Sequence, residues 1–206
     1  PDDLEGLDAC FSPGVDGVAD FELAMAGRGV PIFMVDASVD GPPHHHALFD
    51  FRPLFLGTET AGRIVRLEDW VRARVPDDAS EMVLQMDVEG AEYDVVLDAP
   101  EALLKRFRIV IVEFHGLGDL FDPFKADRIS RTFEKLGRLF HVVHAHPNNC
   151  EPARRSARHT LPDVMEFTFH RRDRARPAGE FARLPHALDA PNARDLREVA
   201  APPEWR

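Results

Sequence analysis

Short apolar runs alternate with glycine-rich and acidic breaks along most of this chain, and their spacing predicts alternating strands and helices. Leu7 to Ser12 reads as a strand, and Pro13-Gly14-Val15-Asp16-Gly17 as a turn of permissive backbone. Phe21, Leu23, Ala24, Met25 and Ala26 carry a helix that Gly27 and Gly29 stop before a second strand, Ile32 to Val35. Pro42, Pro43 and Pro53 blur the pattern between Asp40 and Gly62, where Arg52 to Leu56 is the expected third strand. Ile64 to Arg74 is a short strand passing into a helix. Met82, Val83, Leu84 and Met86 form another strand, which Gly90 breaks before helical spacing restarts over Ala91 to Leu97. Phe107 to Phe114, with Ile109, Val110, Ile111 and Val112 in succession, has the unbroken β-branched character of a central parallel strand covered on both faces. His141 to His146 follows. Val164 to His170 sets Met165, Phe167 and Phe169 against Glu166, Thr168 and His170, as a half-exposed antiparallel strand does, so the expected sheet is mixed.

Polar groups collect where these strands end. Asp87 closes one apolar run, and a period of two places Asp87 and Glu89 on one side with Val88 turned to the core. In an open α/β sheet ligands bind outside the carboxyl ends of the strands, so these acids stand where chemistry is done. Glu92, and in part Glu89, reads as a cap for the helix that follows. Glu113, His115 and Gly116 end the next strand, and His144-Ala145-His146-Pro147-Asn148-Asn149 ends the one after. Strand, glycine turn, helix, strand and then Asp36 is the order of a nucleotide-binding unit, in which such an acid accepts ribose hydroxyls. Gly14-Val15-Asp16-Gly17 is not the full G-x-G-x-x-G pattern, and a turn cap with Ser38 is the structural alternative for Asp36. The run His44-His45-His46 reads as a solvated loop, because adjacent residues cannot all face one ion and no acid or cysteine completes a set.

At 206 residues and 44% hydrophobic, the chain has room for one α/β domain with a tail. The domain is expected over residues 1–171. A proline-rich extension over 172–206 carries Pro177, Pro185, Pro191, Pro202 and Pro203, with Phe181, Leu184 and Leu188 expected to dock part of it. Lys and Arg number 25 against 36 Asp and Glu, and the net charge of 25 − 36 = −11 argues against nucleic acid and anionic membrane surfaces as partners. Cys10 and Cys150 are far apart and match no disulfide framework or zinc spacing, which suits reduced thiols in a cytoplasmic setting. No apolar run reaches the length of a membrane span, and the start at Pro1 is that expected of a trimmed domain.

Asp87-Val88-Glu89-Gly90-Ala91-Glu92-Tyr93 resembles the D-[IV]-E-G-A-E-x signature of FkbM-type S-adenosylmethionine-dependent methyltransferases. Further blocks follow the family's order: Leu67-Glu68-Asp69-Trp70, Ile111-Val112-Glu113-Phe114-His115, His146-Pro147-Asn148-Asn149 and Glu166-Phe167-Thr168-Phe169. The resemblance runs from Leu7 to Arg171. It implies a Rossmann-like class I methyltransferase fold, a mostly parallel seven-stranded sheet with a reversed last strand, and O-methylation of a hydroxyl on a sugar or other small metabolite. Ser12, Gly14, Asp16, Gly17, Asp36, Asp69, Asp87 and Glu89 are the candidate contacts to the cofactor. The family's class usually has an acid two residues before the first glycine and a G-x-G core. Here Ser12 precedes Gly14 and Asp16 replaces the second glycine, where a carboxylate suits the cofactor's ammonium group and repels its carboxylate.

The implied reaction is in-line displacement at an already activated methyl group, so the protein's task is to hold a nucleophilic oxygen in line and take its proton. His115 is the first choice of base because an imidazole titrates near neutrality, with Glu113 and His146 as the other catalytic candidates. No metal is required. In a metal-assisted variant, Asp87, Glu89, Glu113, His115 and His146 converge on a hard divalent cation. The alternative from another class is a non-catalytic Rossmann-like binding module whose altered glycine turn no longer takes the cofactor. An NAD-dependent oxidoreductase is disfavoured by the incomplete dinucleotide turn. The expected partner is a small-molecule or saccharide acceptor, without membrane insertion, and no motif bears on oligomeric state.

Overall fold

The structure, a computed structural model, describes residues 3–15, 17–157, 159–174 and 185–200. Its main sheet has seven strands: β1 (Ala9–Pro13), β2 (Ile32–Val35), β3 (Phe49–Arg52), β4 (Met82–Met86), β5 (Phe107–Phe114), β6 (Phe140–Pro147) and β7 (Met165–Arg171). Their order is β3-β2-β1-β4-β5-β7-β6. β1 to β5 pair in parallel, whereas β7 runs antiparallel to both of its neighbours, β5 and β6. The strand order reverses between β1 and β4, the place where such sheets leave a crevice at the carboxyl ends.

Alternation along the strands builds two apolar layers. Ala9, Phe11, Met82, Leu84, Val110, Val112 and Phe114 face one side, and Cys10, Ile32, Met34, Val83 and Ile109 face the other. The first side is covered by α2 (Leu67–Arg74), α3 (Glu92–Asp98), α4 (Glu101–Leu104) and α5 (Ala126–Leu139) through Trp70, Tyr93, Leu104 and Leu136. The second is covered by α1 (Asp20–Ala26) through Met25 and Ala26. Phe11 is fully buried against the edge of Trp70, with ring centroids 4.9 Å apart, and burial of one such side chain is worth roughly 2–3 kcal/mol. Among the described residues no helix is long and apolar enough to cross a membrane.

Two expectations shift. The third strand lies at Phe49–Arg52 rather than Arg52 to Leu56, because Pro53 has no N–H for the ladder and ends the pairing with β2. Phe55–Gly57 pairs instead with Ile64–Arg66 in a separate small parallel sheet. The antiparallel β7 is an interior strand, so its polar face is covered: Thr168 is buried, and burial pushes the Glu166 carboxyl up.

The proline-rich extension is described over 172–174 and 185–200, and Phe181 and Leu184 lie outside the described residues. Leu188 is 86% exposed rather than docked, and the contacts described for this segment are polar. Asn149, itself buried, accepts the Ala193 N–H at 2.8 Å and donates to the carbonyls of Ala193 and Leu196 at 2.8 and 3.2 Å. Asp189 pairs with His144 Nε2 at 2.8 Å and faces His146 Nδ1 at 3.6 Å. Removing three bonds worth about 1 kcal/mol each, Asn149→Ala is expected to speed amide exchange at Ala193 by about a hundredfold while leaving β4 and β5 protected. Unchanged exchange at Ala193 would show that the segment is held by something else.

Candidate functional site

The carboxyl ends of β1, β2, β4 and β5 open into a cleft of about 750 Å³. Its floor is tied by backbone bonds between strand ends. Gly14 N donates to Val35 O at 3.0 Å, and Asp87 N donates to Pro13 O at 3.1 Å. Gly14 has φ +87°, and a Cβ there would lie 1.6 Å from the Asp87 carbonyl oxygen, so no side chain fits between the two strand ends. Gly17, by contrast, would place a Cβ in open space, and Asp16 lies outside the described residues.

Asp36, at the end of β2, lines the cleft and braces the glycine turn. Its Oδ2 accepts Val15 N–H at 2.9 Å, and its Oδ1 accepts Ser38 N–H at 2.7 Å and the Ser38 hydroxyl at 2.6 Å. Burial raises the Asp36 pKa, but these donors outweigh it and the carboxyl is held below its usual range. Three of about four acceptor positions on the carboxylate are taken, which leaves one for a ligand hydroxyl.

Ser12 is fully buried and is absent from the cleft lining. Its Oγ lies 2.5 Å from Glu22 Oε1 and 2.6 Å from the Gln85 amide oxygen as placed, and both partners do line the cleft. One hydroxyl proton serves one acceptor, so a Gln85 amide turned to donate its N–H to Ser12 satisfies the trio. Ser12 thus orients two polar cleft residues rather than meeting a ligand itself. Glu22 and Gln85 escape the sequence reading, although each is a polar residue inside an apolar run, which is the available signal.

Opposite this half stands His115, ringed by four carboxylates. Its Nδ1 is 3.0 Å from Glu92 Oε1, and its Nε2 is 3.4 Å from Glu89 Oε2, 3.6 Å from Glu113 Oε1 and 3.8 Å from Asp87 Oδ1. Asp87 and Glu89 therefore reach one place, though not by strand alternation. β4 ends at Met86, and Glu89 stands in the left-handed region at φ +55° ahead of Gly90 at φ +105°, so a turn brings its carboxylate round. Glu92 is more than a helix cap. It is fully buried, its Oε1 accepts the N–H groups of Val88 and Gly90 at 3.2 and 3.0 Å, and the same oxygen faces His115. Tyr93 fixes the histidine's backbone by donating its hydroxyl to His115 O at 2.8 Å.

Burial lowers the His115 pKa, but the hydrogen bond to Glu92 and the charges of Glu92, Asp87 and Glu89 outweigh it and raise it to about 9. Burial, with Asp87 alongside, pushes the Glu113 carboxyl up to about 7 against the pull of His115 and the Asn148 amide, which donates to Glu113 Oε1 at 3.0 Å. Two candidates lie elsewhere. Asp69 is exposed on α2, outside the cleft lining, and accepts the Thr60 hydroxyl at 2.6 Å. His146 stacks beside His144 under Asp189 and does not line the cleft. Asn192 of the C-terminal segment does line it, a contribution that no local pattern announces.

A sheet of this order with an antiparallel strand inserted between β5 and β6, and a cleft at its carboxyl edge, defines an α/β protein with the Rossmann-like methyltransferase fold. The methyltransferase FkbM domain matches residues 55–141, and this match supports the FkbM-type methyltransferase family. That segment contains Asp69, Asp87, Glu89, Glu92, Glu113 and His115, while the glycine turn and Asp36 precede it. The sequence matches no curated protein at a significant level.

Proposed function

We propose that this chain transfers the methyl group of S-adenosylmethionine to a hydroxyl oxygen of a sugar or other small metabolite, in a cytoplasmic setting. The observation that carries this reading is the convergence on one cleft of the Gly14 turn, Asp36, the acids after β4 and the Glu113–His115 pair after β5. The residues suit an adenosyl cofactor, since Asp36 keeps an acceptor position beside a turn where backbone and ligand meet without an intervening side chain. When bound, the cofactor supplies an electrophilic methyl group.

The chain's own residues then hold the acceptor and move its proton. His115, expected as the base, has carboxylates against both ring nitrogens, so a ring protonated at both satisfies them and keeps no lone pair for an incoming hydroxyl. Its role in this reading is to balance the acids around it. Glu113 retains carboxylate lone pairs beside Asn148 in the cleft wall and is the proton acceptor.

Calorimetry with S-adenosylmethionine and S-adenosylhomocysteine tests the reading. Micromolar binding, on the order of −8 kcal/mol, is expected for the chain, with a loss of about tenfold or more in Asp36→Ala. A chain that binds neither compound is a binding module that ignores the cofactor, and the reading fails.

A further inference from the structure

The ring of acids around His115 holds more negative charge than proton transfer to one oxygen requires. Four carboxylates face one imidazole, at 3.0 to 3.8 Å from its ring nitrogens. We propose that Asp87, Glu92 and His115 bind one divalent cation of the Mn²⁺ class at the floor of the cleft.

Asp87, Glu92 and His115 each offer a ligand atom, and the three atoms lie within 4.8 Å of one another. Bonds of about 2.0–2.4 Å to a single ion span such a triangle with small side-chain adjustments. A second observation points the same way. Glu92 is fully buried, its Oε1 takes the Val88 and Gly90 N–H groups, and its Oε2 has no hydrogen-bond partner among the described residues. A carboxylate oxygen removed from water and left without a donor is costly, and a cation supplies the missing partner. Glu89 and Glu113, on the same imidazole, stand within reach to complete the coordination or hold its waters.

The donor set selects the ion. Two carboxylates with one imidazole suit a first-row dication of mixed oxygen and nitrogen preference, whereas Ca²⁺ takes six to eight oxygens. Coordination uses a lone pair on one ring nitrogen of His115. The cation's function rests on the reading proposed above: it polarises the acceptor's hydroxyl as a Lewis acid, and the hydroxyl proton passes to Glu113. Its binding does not depend on that reading.

The test is titration of Mn²⁺ into the purified, chelator-treated chain, with free Mn²⁺ followed by electron paramagnetic resonance and Ca²⁺ as competitor. One saturable site per chain is expected, weakened at least tenfold in Glu92→Gln and in His115→Gln and little displaced by equimolar Ca²⁺. Circular dichroism identifies any variant that fails to fold, and Asp87→Asn then replaces it. Absence of a saturable site in the parent chain, or unaltered affinity in the folded variants, overturns the proposal. Calorimetry with S-adenosylmethionine on the same samples separates the two claims. Mn²⁺ binding without cofactor binding keeps the metal site and removes the transferase reading, and the converse removes only the metal.

Discussion

Gly14→Ala is expected to destabilise the protein by on the order of 3 kcal/mol, through strain at a left-handed residue added to overpacking against backbone. The added Cβ meets the Asp87 carbonyl oxygen at 1.6 Å, and that oxygen belongs to a strand end rather than to a side chain that can swing away. Relief requires β1 and β4 to part, which breaks the Asp87 N–H to Pro13 O bond and moves Asp87 away from His115. The effect therefore spreads from stability to the site. A denaturation midpoint lower by roughly 10 °C is expected, together with loss of cofactor binding in whatever fraction remains folded. Gly17→Ala is the control, because its Cβ enters open space, and a change within about 0.5 kcal/mol is expected. Equal midpoints for the two variants would show that the strand ends can separate at little cost.

How much of this was legible in the sequence depends on the range over which each feature is decided. β2 and β5 fall at the residues that apolar continuity marks, because a run such as Ile109 to Val112 satisfies a buried strand on both faces without outside help. β3 lies three to four residues before the expected run: Phe49 and Phe51 alternate with polar neighbours too briefly to register, while Pro53 sits inside the expected run and ends the real one. Strand order is a different matter. Periodicity finds β7 and its antiparallel character, and the family resemblance implied a reversed last strand, but the insertion of β7 between β5 and β6 was not read from the sequence. In the site, Asp87, Glu89, Glu113 and His115 were legible as strand-end polar groups. Glu92 was not, since a helix-cap role accounts for it locally and its partner His115 is 23 residues away. Asp69 was placed by a motif block, yet its carboxylate is satisfied by Thr60 across a turn that no pattern specifies.

The acid limb of stability should be governed at the opposite edge of the sheet, by Glu81 and Asp3. Arg108 on β5 and Arg171 on β7 are nearly buried, and Glu81 joins them, with Oε1 2.7 Å from Arg171 Nη2 and Oε2 3.4 Å from Arg108 Nε. Asp3 meets Arg108 at 3.4 Å, His170 at 3.0 Å and Arg174 through both oxygens. The hydrogen bond from Arg174 dominates at Asp3 and holds its carboxyl well below the usual range. At Glu81 burial works upward, but the bonds and charges of Arg171 and Arg108 outweigh it and lower the pKa. Both folded values are thus depressed below those of the unfolded chain, near 3.9 for Asp and 4.3 for Glu. The stability these groups contribute is fully present above about pH 5 and is lost as pH falls through the folded values. Glu81→Gln leaves the two guanidinium groups with weaker partners, and a loss of about 2–3 kcal/mol at pH 7 is expected. It should also flatten the fall in urea midpoint between pH 5 and about pH 3, since the variant has already lost the charge that protonation removes. A variant as stable as the parent at pH 7, with the same slope below pH 5, would mean that Arg108 and Arg171 are held by the carbonyls of Glu5 and Lys105, which accept from them at 2.6 and 2.5 Å, and that the carboxylate adds little.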